Sequence, residues 1–153
     1  MIAPEERLEF LRCIPIFTGL SDEGLAILAE NAQEISCPAG TLAVREGEPG
    51  NQLFIIYSGA VEVLKNFEEK GEMIIARLAA RTFFGEMSII ECVARSASVR
   101  ATQDTLLFAI KSMELYHLFR YHPDQYSIVI LNIARDMSRR IRKLDEFWAR
   151  LPH

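Results

Sequence analysis

Two side chains of opposite charge, Glu86 and Arg95, stand in the stretch Phe83-Phe84-Gly85-Glu86-Met87-Ser88-Ile89-Ile90-Glu91-Cys92-Val93-Ala94-Arg95-Ser96-Ala97-Ser98-Val99. An arginine carries a permanent charge on a planar fork that matches two phosphate oxygens. A carboxylate repels phosphate but accepts a hydrogen bond from a sugar hydroxyl, which gives Glu86 a different partner. Gly85 has no Cβ, so the backbone there can approach a ligand closely. From Glu86 to Glu91 the run lacks Gly and Pro and could form a helical turn whose unpaired N–H groups favour an anion. These parts suit a small anionic ligand that bears a ribose. Read as residues alone, the same stretch is also compatible with an ordinary strand-to-helix turn in which Arg95 pairs with Glu91 or Glu86.

Elements on either side must position these groups. Glu5 to Cys13 places Leu8, Phe10 and Leu11 at helical spacing, and Pro15 ends that helix. Ser21 is an N-cap for a second helix whose apolar side is Leu25, Ile27, Leu28 and Ala29. The pattern then changes to short strands, expected at Ala32–Cys37, Thr41–Arg45, Gln52–Ser58, Ala60–Asn66, Met73–Leu78, Ala97–Ala101 and Thr105–Ile110. Many short strands with closely spaced Gly and Pro turns predict an antiparallel β-sandwich or barrel. Ser112 is a plausible N-cap for a helix over Met113–Tyr121, with Leu115, Leu118 and Phe119 inward. A long terminal helix runs from Pro123 to Leu151. Its apolar positions Ile130, Ile133, Met137, Ile141, Leu144, Trp148 and Leu151 step by three or four, and Arg135, Arg139, Arg140, Arg142, Lys143 and Arg150 lie opposite. The whole helix is too long for a small barrel to cover.

At 153 residues the chain fits one domain, with the strands over about 32–110 and the C-terminal helices over about 112–151. Its net charge of −4 does not suggest a bulk nucleic-acid binder. Neither a signal peptide nor a membrane span is expected. Cys13, Cys37 and Cys92 are widely spaced and odd in number, which reads as reduced thiols in a cytoplasmic protein.

The pattern F-G-E-M-S followed by R-S-A-S-V resembles the phosphate-binding cassette of cyclic nucleotide-binding domains. That family includes the cAMP receptor protein and the regulatory subunits of cAMP- and cGMP-dependent kinases. The run from Gly40 to Val63 is similar to the first half of that family's jelly roll, with Gly40, Gly47, Gly50 and Gly59 as turn glycines. The resemblance implies a mainly β fold, an antiparallel jelly roll with N-terminal helices and a long C-terminal helix. It implies that Glu86 holds the ribose 2′-hydroxyl, while Arg95 and the backbone after it hold the cyclic phosphate. Phe84, Gly85, Met87, Ser88, Ser96 and Ala97 would line the site. The implied ligand is cAMP, with cGMP as the other candidate, and no metal is called for. The terminal helix would cap the base, with Asn132, Arg135 and Arg139 as candidates.

Two departures bear on the site. Arg81 stands where that family has a loop glycine, and Ala94 replaces the proline that often precedes the phosphate-binding arginine. No DNA-binding domain follows the long helix in this sequence. The expected output is therefore a homodimer through that helix, whose stripe has a near-heptad period, or an effector protein. Asp136, Asp145 and Glu146 interrupt its basic face, which disfavours a membrane-surface role. The alternative function is a binding-incompetent jelly-roll scaffold acting by protein contact, suggested by the loop at Arg81. Catalysis on a metal-dependent jelly roll is not expected. Such sites need clustered histidines, and His117, His122 and His153 all lie beyond the strands.

Overall fold

The computed structural model describes residues 1–152 and so leaves His153 outside the described residues. Helix α1 (Pro4–Arg12) and α2 (Asp22–Asn31) precede eight strands. The strands are β1 (Gln33–Cys37), β2 (Leu42–Val44), β3 (Gln52–Ser58), β4 (Ala60–Lys65), β5 (Met73–Ala79), β6 (Phe83–Phe84), β7 (Ser98–Ala101) and β8 (Thr105–Lys111). Helix α3 (Glu86–Glu91) interrupts them, and α4 (Ser112–Tyr121) and α5 (Pro123–Ala149) close the chain. The strands form two antiparallel sheets, ordered β1-β8-β3-β6 and β2-β7-β4-β5. This is the jelly-roll arrangement with flanking helices.

Successive strand residues point to opposite faces, so a strand covered on both sides must be apolar throughout. β3 and β8 meet that condition. Phe54, Ile56, Leu107 and Ala109 enter a core between the two sheets with Val61, Phe84 and Val99. Leu53, Ile55, Phe108 and Ile110 face the other way, into a larger core under the helices with Leu11, Phe17, Leu28, Leu118, Val129 and Ile133. Each such fully buried side chain contributes roughly 1.5–3 kcal/mol over leaving it in water. The two-residue strand β6 was not anticipated from sequence, because two residues carry no period. It pairs Phe84 with Phe54 and Phe83 with Ile55, and sends Phe83 to the helix core and Phe84 to the sheet core.

Several helix details differ from expectation. α1 ends at Arg12, and Pro15 opens a 3₁₀ turn, Pro15–Phe17, that buries Ile16 and Phe17. Ser112 is not a cap. β8 runs through Lys111 straight into α4 with no side-chain cap, and the Ser112 N–H donates to the Asn51 carbonyl at 2.8 Å. Phe119 is 51 % exposed and packs its edge on Tyr126, while Leu115 and Leu118 are buried. Ser21 does cap α2, accepting from the Gly24 N–H at 3.1 Å. α5 buries Gln125, Val129 and Ile133, whereas Ile141, Leu144 and Trp148 are all exposed.

In the turn before β6, Arg81 stands in the place of a family glycine and adopts the left-handed conformation, with φ +70°. Its N–H donates to the Ile56 carbonyl at 2.8 Å, so pairing with β3 holds this geometry in place. An L-residue in the left-handed region costs roughly 1–2 kcal/mol, which a glycine avoids at the expense of a floppier unfolded chain. Arg81→Gly should therefore stabilise the fold by about 0.5–1 kcal/mol, and β-branched Arg81→Val should destabilise it, as read by chemical denaturation.

Candidate functional site

The cassette faces the inward side of the β2-β7-β4-β5 sheet, where Val44, Val63, Leu78 and Val99 point. Gly85 turns the chain out of β6 with φ +90°, and α3 starts at the next residue. The return strand β7 begins three residues after Arg95. Between them lies a cavity of ≈ 340 Å³, lined by Phe84, Gly85, Glu86, Met87, Ser88, Arg95, Ser96 and Ala97, with Arg140 from α5. Its remaining wall is apolar, with Phe83 beside the aliphatic Val44, Val63, Ile75, Leu78 and Val99. A larger hollow of ≈ 460 Å³ between α1 and α2 brings together fewer groups able to bind an anion.

Glu86 and Arg95 are both buried, at 4 % and 7 % exposure, whereas Glu91 is exposed. Arg95 forms no ion pair with Glu91 or Glu86 among the described residues. Its guanidinium donates instead to the carbonyls of Gln52 at 3.0 Å and Gly85 at 3.4 Å, and lies 5.4 Å from the centre of the Phe54 ring. Burial pushes the Arg95 guanidinium down from its ordinary value, and attraction to the Glu86 carboxylate acts the other way. An arginine still keeps its proton under such a shift, so the cavity holds a positive charge bonded only to neutral acceptors.

Glu86 has a partner that the sequence did not single out. Arg140, placed by its spacing among the basic residues opposite the apolar stripe of the terminal helix, donates to Glu86 Oε1 at 3.0 Å. It also pairs with Asp136 at 2.8 Å and lies over the Phe83 ring at 5.4 Å. The three base-cap candidates fall elsewhere. The Asn132 amide donates to the Ile16 and Thr18 carbonyls at 3.1 and 2.9 Å, closing the 3₁₀ turn. Arg135 donates to Asn132 Oδ1 at 3.4 Å, and Arg139 is exposed and does not line the cavity. Arg139 and Arg140 differ by one step of about 100° around the helix, and side-chain periodicity alone did not tell which one reaches the cavity.

Comparison with known proteins fits this geometry. The profile of the cyclic nucleotide-binding domain matches residues 34–122. The chain belongs to that family. It is 31 % identical over 131 residues to the cyclic AMP receptor protein of Thermus thermophilus, covering 86 % of this chain and 59 % of that protein. It is 32 % identical over 88 residues to the cAMP-dependent protein kinase regulatory subunit of Schizosaccharomyces pombe, covering 58 % of this chain and 20 % of the other. A solved cyclic nucleotide-binding domain from Methylobacillus flagellatus superposes with a TM-score of 0.82 at 30 % identity, covering 98 % of this chain and 85 % of that one. The chain thus spans less than two thirds of the length of these two curated relatives.

Within this cyclic nucleotide-binding domain, two glycines are explained by Arg95. A Cβ on Gly85 would stand 2.7 Å from Arg95 Nη1 and 2.8 Å from the Gln52 carbonyl. A Cβ on Gly50 would stand 2.5 Å from Arg95 Nε. Gly50 had been read as a turn glycine, yet it is not among the positive-φ glycines, and what it supplies is room for the guanidinium. Gly50→Ala should cost about 1–3 kcal/mol by overpacking against Arg95. Most of that cost should disappear in an Arg95→Ala background, which a double-mutant cycle in chemical denaturation measures.

Proposed function

We propose that this domain is a regulatory sensor of a cyclic nucleotide, with cAMP as its ligand. The observation that carries the reading is the pairing of a buried guanidinium bonded only to carbonyls with a buried carboxylate, in one cavity whose sheet-side wall of Val44, Val63, Ile75, Leu78 and Val99 is aliphatic. The cyclic phosphate would take Arg95 and the backbone of Ser96 and Ala97, and the ribose 2′-hydroxyl would donate to Glu86. Adenine presents fewer hydrogen-bonding groups on its edge than guanine does. An aliphatic wall therefore leaves fewer of them unpaired, each worth about 1–3 kcal/mol when buried. That preference favours cAMP over cGMP.

Signalling would run through α5. A 2′-hydroxyl arriving at Glu86 must share the carboxylate with Arg140, so ligand binding and the position of this helix bear on one another. A ligand shifts such an equilibrium only by its differential affinity for the two states. The exposed stripe of Ile141, Leu144 and Trp148 is the surface we assign to a second copy or to an effector protein. The absence of disulfides among Cys13, Cys37 and Cys92 is in keeping with a cytoplasmic setting. The role proposed is regulatory and not catalytic.

A binding-incompetent scaffold is the second reading, and one observation favours it: Arg140 already takes one oxygen of the carboxylate that a ribose would need. Calorimetric titration of protein stripped of ligand by unfolding and refolding separates the two. Saturable cAMP binding is expected, and its absence in folded protein selects the scaffold. Arg95→Ala should weaken binding by about 2–5 kcal/mol, since it removes a buried charge-assisted contact. Glu86→Ala should weaken cAMP and scarcely change the 2′-deoxy analogue. Ile141→Glu with Leu144→Glu should shift a dimer towards monomer in sedimentation, and because coupling is reciprocal, ligand affinity should change with it.

A further inference from the structure

The ladder between β4 and β7 ends at the pair Leu64–Ser98. The next positions, Lys65 and Ala97, are not paired, so sheet hydrogen bonding does not fix the Ser96–Ala97 peptide. The Lys65 side chain takes over at this point. Its ammonium donates to the Ser96 carbonyl at 2.5 Å and pairs with the Glu46 carboxylate. Glu46 is held in turn: its other oxygen accepts from the Asn66 N–H at 3.0 Å, and its own N–H donates to the buried Ser98 hydroxyl at 2.9 Å. One residue back, the Arg95 N–H donates to the Glu48 carbonyl at 2.8 Å and the Arg95 carbonyl accepts from the Gly47 N–H at 2.9 Å.

We propose that Lys65 is a positioning residue for the anion site: it grips the Ser96 carbonyl from outside and thereby aims the Ala97 N–H into the cavity. The geometry is that of any trans peptide. The carbonyl of one residue and the N–H of the next point in opposite directions across a rigid plane, and the chain has no cis bond. Ala97 lines the cavity and Lys65 does not, so Lys65 acts through the peptide and not on a ligand. Among the described residues no protein acceptor takes the Ala97 N–H. A donor fixed in place before the anion arrives spends no ordering entropy on binding. Lysine suits the task because its ammonium has several donors on a long stem, enough to hold a carbonyl and a carboxylate together.

The proposal rests on the reading of this cavity as a phosphate site, and its test separates the two. Lys65→Met keeps most of the aliphatic stem and removes the ammonium; Lys65→Arg keeps a donor; Lys70→Met removes an exposed charge elsewhere. Loss of one aligned bond to a charged acceptor should weaken cAMP binding about ten-fold in Lys65→Met. Lys65→Arg should restore much of that loss and Lys70→Met should bind as wild type, with melting temperatures close to wild type throughout. The N–H residual dipolar coupling of Ala97, which reads the direction of that bond, should change in Lys65→Met even without nucleotide. Wild-type affinity in Lys65→Met, or an unchanged Ala97 coupling, overturns the role of Lys65. If wild-type protein binds neither cAMP nor cGMP, the phosphate reading falls, and the ligand-free Ala97 coupling alone then decides whether Lys65 orients the peptide.

Discussion

A guanidinium kept away from water without a carboxylate bonded to it is the constraint on which this structure turns. Burying a charge is costly unless dipoles replace its hydration, and here the Gln52 and Gly85 carbonyls and the Phe54 ring do so for Arg95. Each of these groups has its own requirement. The Gln52 carbonyl is delivered by β3, which must enter the sheet at a fixed register beside β8. The Gly85 carbonyl depends on a left-handed residue directly after β6. The space for the side chain depends on Gly50 and Gly85 lacking a Cβ. The loop between β2 and β3 clamps the backbone of Arg95 from both sides. A buried guanidinium of this kind is oriented by the fold itself.

Most of the architecture was legible in the chain because its signals are local. Strand period, turn glycines and the Ser21 cap each act within a few residues, and the strands fall within a residue or two of where their alternation places them. What could not be read is equally specific. β6 is too short for a period to exist, and its two residues belong to different cores. Ser112 has the chemistry of a cap, but the direct passage of β8 into α4 gives it no cap geometry to fill. The cassette residues could be picked out as a set because they are close in sequence. Arg140 and Gln52 could not, because they meet the cassette only in three dimensions, and one of them contributes a backbone carbonyl that any residue type supplies.

Helix α5 makes separate attachments along its length. Near its start the Gln125 side chain accepts from the Ser21 N–H at the head of α2, and Asn132 closes the 3₁₀ turn. Further on, Arg140 reaches Glu86. Beyond that the helix leaves its own domain. At about 1.5 Å per residue these attachments span the N-terminal helices, the cavity and open solvent on one rigid rod. The N-terminal helices are therefore tied through α5 to a residue of the cavity although they line none of it.

Phe83 and Phe84 are neighbours in the chain, yet one fills the helix core and the other stacks on Phe54 between the sheets, ring centres 5.0 Å apart. A change in volume in one core is felt in the other through this dipeptide, as it is along β3 and β8, because shifting one ring drags the backbone that carries the other. The two cores therefore do not repack independently. A larger side chain beside Leu53 or Ile110 is limited by what the sheets accept around Phe54, and the interior answers a substitution as one coupled body instead of two.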